Sequence, residues 1–361
     1  MKTFETPGDI YNATPGRIVF RPGAMTTLPD EAESLGVAKA LVISTAGRVG
    51  LANRAAGVLG ERAADVYPEA ISQVPIELAR RGREHAAKIG ADGLVPVGGG
   101  SAIGLAKAIA LELGIPIIAL PTTYSGSEMT GFCGITVDGV KHMHTDLRML
   151  ATTVIYDPEL TTSLPREATA ASAMNALAHA VDSVYLPTLS PLLRPSAATG
   201  AALIAHHLPQ VLADPLDLTA RHGLLEGAFH CGASLTGGFA VQHGIAHVLG
   251  GSLGVEHGLA HALVLPHVTQ HLTAFVADTL RPIADALGTD DLPGTFFDLL
   301  VESGLPTGLK AVGVARKDLE RAVAITLETT QEDSPSEVPL TEDVVRRILD
   351  ASFDGARPGS V

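Results

Sequence analysis

Histidines are concentrated in one part of the second half of the sequence. Seven of the 14 fall between His230 and His271. Within this region His243 and His247 are spaced four residues apart, which places them on one face of a predicted helix. His257 follows a glycine-rich turn. Since imidazole is both the usual proton shuttle near neutral pH and a common metal ligand, the spacing predicts either acid–base catalysis or a metal site.

Further polar residues that could join this site lie upstream and downstream. Asn175 and His179 share one helix face, and Asp182 lies about one turn further on. His261 follows the glycine-rich turn at helical spacing. A single histidine in a helix more often has a structural role, but several histidines in glycine-rich, apolar surroundings favour a functional site.

A glycine-rich segment in the first half separates a predicted strand from a predicted helix. Its residues are Gly98, Gly99, Gly100 and Ser101. The N-terminus of a helix offers unpaired N–H groups and a partial positive charge, and glycines let a diphosphate approach the backbone. An ordinary tight turn is the alternative interpretation. The position of the segment favours a phosphate site, and the missing Walker lysine disfavours an NTPase.

A second polar segment, 121–128 (PTTYSGSE), follows another apolar run. Its candidate ligand-binding residues are Thr122, Thr123 and Ser127. Small hydroxyl residues at the carboxyl end of a parallel strand lie where α/β sheets bind ligands, although Ser and Thr also commonly begin helices. Together with the glycine segment, these residues predict a dinucleotide site.

The elements that must position these motifs alternate between strand and helix over the first 155 or so residues. The predicted strands are 17–20, 38–44, 64–67, 93–97 and 115–120. The predicted helices are 48–59, 75–89 and 102–113. This rhythm predicts a parallel, doubly wound sheet.

The remainder of the chain has the alanine- and leucine-rich pattern of helices. The predicted helical stretches are 166–185, 196–212, 218–242 and 260–286, with a loop at 332–339 before a final helix at 341–353. We therefore expect an α/β dinucleotide-binding domain at 1–157 and an all-helical catalytic domain at 158–361, with the boundary near 155–165.

The composition limits the possible partners and compartment. The chain has 361 residues, is 46% hydrophobic and carries a formal net charge of −14. Without a basic stripe, this charge disfavours nucleic-acid and anionic membrane partners. The N-terminal residues lack the apolar core of a signal peptide, and no apolar run is long enough to span a membrane. With only Cys133 and Cys231 present, a cytoplasmic location is expected.

The ordered set of motifs resembles the iron-containing (group III) alcohol dehydrogenases, and more closely their maleylacetate reductase branch. The segments that carry the resemblance are VPVGGGSAIGLAKAIA, PTTYSGSEMT, VIYDPELTTSLP, MNALAHAVDSVY and HGIAHVLGGSLGVEHGLAHALVLPH. The resemblance implies the dehydroquinate synthase-like fold of that family, with a dinucleotide-binding α/β domain followed by a helical domain.

The resemblance also implies a nicotinamide cofactor, NADH or NADPH. The implied cofactor-binding residues are Gly98, Gly99, Gly100, Ser101, Thr122, Thr123, Ser127 and Lys141, the last matching a cofactor-side lysine of the family. The predicted strand at 38–44 ends without an acidic residue that would clamp the ribose 2′-hydroxyl, so the choice between NAD and NADP stays open.

The resemblance bears on metal binding as well. One Asp and three His hold the metal in metal-dependent members, and the matching positions here are Asn175, His179, His243 and His257. A neutral amide is a poor ligand for a divalent transition metal, and it removes the one negative charge of the set. We therefore expect no bound metal; if iron or zinc does bind, His179, His243 and His257 are the expected ligands.

The activity that the resemblance implies is NAD(P)H-dependent reduction of a small anionic keto acid, maleylacetate to 3-oxoadipate, in the degradation of aromatic compounds. His243 is expected to donate a hydrogen bond or a proton to the developing enolate. His179, His247 and His257 are its expected partners, and Asn175 would orient a carboxylate or carbonyl. The alternatives are a metal-dependent dehydrogenase of a small alcohol or aldehyde, or a biosynthetic relative with altered or lost redox activity. A homodimer is the expected assembly.

Overall fold

A computed structural model describes residues 15–138, 140–330 and 336–359. The chain divides into two compact units, one formed by Ala13–Leu164 and one that includes Pro165–Val361. Among the described residues, no helix combines the length and the apolar character needed to cross a bilayer.

The first unit is built on a sheet of six parallel strands in the order β1-β8-β5-β4-β2-β3. These strands are β1 (Arg17–Phe20), β2 (Ala40–Ile43), β3 (Ala63–Tyr67), β4 (Gly93–Gly98), β5 (Ile118–Pro121) and β8 (Thr153–Tyr156). Every residue of β2, β4, β5 and β8 is buried, as expected when helices cover both faces of a sheet. The predicted parallel sheet is confirmed.

Helices lie on both faces of this sheet. They are α1 (Leu28–Ser34), α2 (Val49–Leu59), α3 (Ile76–Ile89) and α4 (Gly100–Leu113). Helices α1 and α2 share one core with Val95 and Val97 of β4, whereas α3 packs against α4. The chain therefore leaves β2 and β4 toward opposite faces, and the carboxyl ends of these two neighbouring strands form the switch point where α/β sheets bind ligands.

Several elements of the first unit were not predicted from the sequence. Besides α1 and β8, strands β6 (Phe132–Val137) and β7 (Val140–Thr145) form a separate antiparallel hairpin. In the sequence the pair Asp138-Gly139 separates these two strands, and Asp138 has a φ of 50°. An Asp-Gly pair between β-branched residues is a strong hairpin signal, so the sequence contained the information for this element.

The second unit is helical among its described residues. Its helices are α5 (Arg166–Val184), α6 (Arg194–Ala213), α7 (Leu218–Ser234), α8 (Val241–Leu253), α9 (His257–Leu287), α10 (Leu292–Ser303), α11 (Leu319–Thr330) and α12 (Glu342–Asp354). Helix α9 is kinked at Val276. Of the predicted loop at 332–339, residues 332–335 lie outside the described part, and 336–339 contain no helix or strand.

The predicted single helical stretch at 218–242 is wrong. Helix α7 ends at Ser234, and α8 begins only at Val241. The intervening segment contains Gly237 and Gly238, and Gly238 has a φ of 105° that side chains rarely permit. The break matters for function because it creates a new helix N-terminus two residues before His243.

Helix α5 lies at the centre of this unit and packs against α6, α7, α8 and α9. Fifteen of its 19 residues are buried, so the helix has no solvent-facing stripe. Its many alanines allow neighbouring helices to approach closely. As a result, several polar residues on α5 are buried, among them Asn175, His179 and Asp182.

Candidate functional site

Five histidines from three helices come together inside the second unit. Helix α5 contributes His179, α8 contributes His243 and His247, and α9 contributes His257 and His261. The ring centroids of His179 and His243 are 5.2 Å apart, and those of His243 and His261 are 4.5 Å apart. The chain of contacts continues from His261 to His257 at 4.7 Å and from His257 to His247 at 5.7 Å. We call these five residues the histidine cluster.

Local signals at the joint between α8 and α9 explain how four of these rings meet. Gly254, with a φ of 72°, ends α8 in a left-handed conformation that glycine adopts readily. The Glu256 side chain then accepts a hydrogen bond from the backbone N–H of Leu259 and caps α9. The short turn lets the two helices pack side by side, with a histidine pair spaced i, i+4 on each.

Asp182 supplies the negative charge next to the cluster. Its Oδ2 accepts a hydrogen bond from His243 Nδ1 at 2.8 Å. Burial raises the pKa of the Asp182 carboxyl, but the hydrogen bonds from His243 and from the backbone of Ala240 and Gln242 outweigh this effect. The pKa therefore lies below its ordinary value, and Asp182 is ionised at neutral pH.

His261 is the fully buried histidine of the cluster. Burial, and then the electrostatic effect of the neighbouring histidines, lowers the pKa of His261 well below its ordinary value. The Gln242 amide donates a hydrogen bond to the His261 carbonyl at 3.1 Å and fixes this part of α9. Several protonated rings packed this closely would repel each other, so the cluster cannot carry a charge on every imidazole. The sequence pointed to His261 by its spacing but did not assign it a role.

The donors present decide whether the iron implied by the family resemblance fits here. Among the described residues, donor nitrogens of His247, His257 and His261 all lie within 4.8 Å of one another. Only His257 is shared with the expected set of His179, His243 and His257. Asn175 is buried, and its Oδ1 accepts no hydrogen bond from the described part of the chain.

Within the described part of the chain, no carboxylate joins these three imidazoles. The Asp182 carboxylate accepts hydrogen bonds from the backbone at the start of α8 and from His243, and Asn175 stands at the position where the family resemblance implies an Asp ligand. A divalent ion held by neutral ligands alone would keep an uncompensated charge in a buried site. The residues present therefore do not fit a centre of one Asp and three His, and we derive no chemical step through a metal.

The glycine and hydroxyl segments meet in the first unit at the carboxyl ends of adjacent strands. Strands β4 and β5 pair in register through Val97 with Leu120 and Gly98 with Pro121. The backbone N–H of Thr122 donates to the Gly98 carbonyl at 3.0 Å. The two segments predicted to bind the cofactor are thus neighbours in space, as their chemistry requires.

The approach of these segments is close enough to require glycine. A Cβ atom on Gly99 would stand 2.6 Å from Thr123 Oγ1, whereas one on Gly100 would make only an ordinary contact, 4.0 Å from Ser127 Oγ. Gly99 is the N-cap of α4 and provides no side-chain cap, so the first N–H groups of the helix are available to a ligand. Glycine backbone, helix N-terminus and two hydroxyl side chains form a cradle that suits a diphosphate.

Lys107 holds the hydroxyl segment in place, a role that the sequence analysis missed. Lys107 lies on α4 and is buried. Its ammonium donates hydrogen bonds to the carbonyls of Ser127 and Phe132 at 2.6 and 2.9 Å. A third bond, of 3.2 Å, reaches Thr130 Oγ1. Burial lowers the pKa of Lys107 to about 8. In the sequence, the signal for this role was a single lysine inside the otherwise apolar stretch that forms most of α4.

Replacing Lys107 by methionine is expected to loosen this segment. The variant should lose about 1–3 kcal/mol of unfolding free energy, because buried carbonyls lose their donor, and should bind NADH about tenfold more weakly. Urea unfolding and a fluorescence titration with NADH measure the two effects. Lys88→Met, at an exposed position of α3, is the matched control. An unchanged NADH affinity in the Lys107 variant would show that this lysine does not support the cofactor site.

The difference in unfolding free energy between the wild type and the Lys107→Met variant should change with pH in one direction. The pKa of Lys107 is about 8 in the folded chain against 10.5 in the unfolded one. Between these values the unfolded chain binds more protons, so the contribution of Lys107 to stability rises with pH. The wild type should therefore gain stability relative to the Lys107→Met variant between about pH 8 and 10.5.

Lys141, the expected cofactor-side lysine, lies on β7 of the hairpin. Its aliphatic stem covers Gly134 on the opposite strand. Burial lowers the pKa of Lys141 to about 8, and the nearby Cys133 partly opposes this shift. Cys133 in turn contacts the carbonyl of Gly104 on α4 at 3.4 Å, which ties the hairpin to the helix that follows the glycine segment. A role of Lys141 in cofactor binding stays a prediction.

Comparison with protein families matches both halves of the chain to one family. The model for iron-containing alcohol dehydrogenase matches residues 15–158. The model for the C-terminal part of the Fe-containing alcohol dehydrogenase family matches residues 169–353.

Individual proteins are similar over nearly the whole chain. The maleylacetate reductase of Burkholderia cepacia is 42% identical, over 97% of this chain and 99% of its own. The crystal structure of maleylacetate reductase from Rhizobium sp. strain MTP-10005 has a TM-score of 0.89 and 36% identity, covering 97% of this chain and 99% of that one. A more distant structure, sulfoacetaldehyde reductase from Bifidobacterium kashiwanohense in complex with NAD⁺, has a TM-score of 0.83 and 25% identity, covering 94% and 98%.

Proposed function

The chain belongs to the iron-containing alcohol dehydrogenase family, and we propose that within it the chain reduces maleylacetate to 3-oxoadipate with NADH or NADPH. It is an oxidoreductase, and its proposed substrate is a small dianionic keto acid. The observation that carries the proposal is 42% identity over 97% of the chain to an enzyme named maleylacetate reductase. We also propose a homodimer, the commonest assembly of soluble enzymes.

The first unit provides the proposed cofactor site. When bound, the reduced nicotinamide supplies the hydride. The backbone N–H groups at the start of α4 would bind the diphosphate, supported by the hydroxyls of the neighbouring segment. The proposed cofactor-binding residues are Gly98, Gly99, Gly100, Ser101, Thr122, Thr123, Ser127 and Lys141. Strand β2 is followed by Ser44 and Thr45 rather than by a carboxylate, so both NADH and NADPH are to be tested.

The histidine cluster provides the proposed acid chemistry. Hydride addition to the carbon–carbon double bond, at the carbon β to the ketone, produces an enolate. Protonation of this enolate at the α carbon completes the reduction. His243, whose ring is held against the Asp182 carboxylate, is the proposed donor of a hydrogen bond or proton to the enolate. His179, His247 and His257 are its proposed partners. The amide of Asn175, whose Oδ1 accepts no hydrogen bond from the described residues, would orient the substrate.

An assay of NADH and NADPH oxidation with maleylacetate tests the proposal, with 3-oxoadipate identified as the product. Because the donors do not fit the carboxylate-containing metal centre, a chelator should leave the rate within about twofold. The same assay with small aldehydes should give at most about a hundredth of the kcat/KM for maleylacetate. Turnover of aldehydes only, with loss of activity in chelator and recovery with iron or zinc, would replace this function by that of a metal-dependent alcohol dehydrogenase.

A further inference from the structure

The Asp182 carboxylate accepts five hydrogen bonds. Its Oδ2 accepts from the backbone N–H groups of Ala240 and His243 at 2.7 and 3.1 Å, and from His243 Nδ1 at 2.8 Å. Its Oδ1 accepts from the backbone N–H of Gln242 at 3.1 Å and from the Tyr185 hydroxyl at 3.0 Å. One fully buried carboxylate on α5 thus accepts hydrogen bonds from the backbone N–H groups at the start of α8 and from one imidazole of the cluster.

This arrangement fixes both the place and the orientation of the His243 ring. The backbone hydrogen bonds anchor the first turn of α8, which carries His243, to α5. The bond to Nδ1 then prevents rotation of the ring about its side-chain torsions. The ring stacks on that of His179, with centroids 5.2 Å apart, and meets that of His261 edge-on at 4.5 Å.

The same bond decides which ring nitrogen is available for chemistry. A carboxylate can only accept, so His243 Nδ1 must carry a proton and donate it to Asp182. The opposite nitrogen, Nε2, is buried and makes no hydrogen bond to the part of the chain that the structure describes. It is therefore this nitrogen that can face a substrate atom, either as an N–H donor or as a base.

We infer that Asp182 is a positioning residue for the reaction, which holds His243 with Nδ1 protonated and leaves Nε2 for the substrate. This inference rests on the proposed function for the identity of the reaction. Asp182 itself has no remaining lone pair for a substrate and acts only through His243.

Tyr185 forms an outer part of the same arrangement. Its hydroxyl donates to Asp182 Oδ1, and its side chain also interacts with Ser336, in the segment that precedes α12. The cavity beside this segment, of about 280 Å³, is bordered by Val241, the first residue of α8, and by Thr330. Because Tyr185 bonds Oδ1 and His243 bonds Oδ2 of Asp182, removal of the Tyr185 hydroxyl is a milder change that keeps the carboxylate and its hydrogen bond to the imidazole.

The decisive variant is Asp182→Asn, which preserves size but offers one acceptor oxygen instead of two. We expect kcat with maleylacetate to fall about 100-fold, while KM for NADH stays within about twofold, because the NADH-binding residues lie in the other unit. A structural role alone would not produce this separation between kcat and KM. Asp217→Asn is the matched control: Asp217 also caps a helix, α7, through the backbone N–H groups of Thr219 and Ala220.

A second readout does not depend on the substrate. In protein labelled with ¹⁵N-histidine, the wild type should show a low-field Nδ1–H proton signal for His243, assigned by its loss in His243→Asn. The signal should move upfield or vanish in Asp182→Asn, because an amide accepts more weakly than a carboxylate. Failure of wild-type turnover would contradict the proposed function, whereas this signal tests the Asp182 pair by itself.

Two results would overturn the inference. One is a wild-type spectrum in which His243 carries its proton on Nε2 and not on Nδ1. The other is an Asp182→Asn variant whose kcat remains within about threefold of the wild type. If Asp182→Asn does not fold, the Tyr185→Phe variant and the wild-type spectrum together test the inference. In Tyr185→Phe we expect a shifted His243 signal and a kcat lowered about threefold. No change in either quantity would contradict the inference.

Discussion

Replacing His243 by asparagine should lower kcat for maleylacetate reduction by about 10³-fold and leave the dissociation constant of NADH within about twofold. The amide nitrogen of asparagine falls near the place of Nδ1, so the buried carboxylate of Asp182 keeps its partner and the fold should survive. Nothing then replaces Nε2, the nitrogen proposed to face the enolate. Steady-state kinetics and a fluorescence titration with NADH measure the two quantities.

His206→Ala is the control for this experiment. His206 is exposed on α6, where its Nε2 is hydrogen-bonded to the Gln210 amide and its ring contacts His207, and its loss should leave kcat unchanged. A His243→Asn variant with kcat within about fivefold of the wild type would show that another imidazole of the cluster donates the proton. Equal losses in NADH affinity and kcat would instead indicate a disturbed fold.

Replacing Gly99 by alanine should weaken NADH binding by about 100-fold. Its φ of −96° is open to any residue, so the backbone conformation is not the obstacle. The obstacle is space, because the added Cβ would stand 2.6 Å from Oγ1 and 2.7 Å from Cγ2 of Thr123. Either the threonine or the N-terminus of α4 must move. The loss of about two charge-assisted hydrogen bonds to the diphosphate corresponds to about 3 kcal/mol, hence the expected factor.

Gly57→Ala is the matched control for this substitution. Gly57 is exposed on α2, and a Cβ there would meet no atom within 4 Å. Alanine is the better helix former, so this variant should bind NADH normally and be slightly more stable. A titration showing normal NADH affinity for Gly99→Ala, in a protein that melts like the wild type, would place the diphosphate elsewhere.

The part of the fold that carries the cofactor site could be predicted closely from the sequence. The apolar run at 93–97, the glycines and the helix at 102–113 correspond to β4, the turn and α4 within two residues. A strand buried on both faces leaves a continuous apolar signal, and a glycine-rich turn marks its end. The β6–β7 hairpin was missed because its alternation is weak, although its Asp-Gly turn was visible.

The break between α7 and α8 could not be predicted from helical periodicity. The alanines and leucines at 218–242 have helical spacing, although the Gly237-Gly238 pair is a turn signal. The partner that stabilises the new N-terminus at Val241 is Asp182, about 60 residues earlier. A cap supplied by a distant residue leaves no local pattern. The same long-range contact explains why the sequence placed Asp182 near the site without assigning its role.

The histidine cluster could be predicted only in parts. The spacings of His243 with His247 and of His257 with His261 each define one helix face. That the two faces meet each other, and meet His179, depends on the packing of α8 and α9 around α5. Lys107 was missed for a related reason: a lysine on a helix is usually solvated, and only the packing of the hydroxyl segment over α4 makes it internal.

The most direct test of the account follows the hydride itself. Maleylacetate is reduced with NADH carrying deuterium at the transferred position, and the label in the product is located by NMR. We predict 3-oxoadipate with deuterium on the carbon β to the ketone, next to the distal carboxylate. Deuterium on the former carbonyl carbon, in a hydroxy acid, or no transfer of the label at all, would contradict the account.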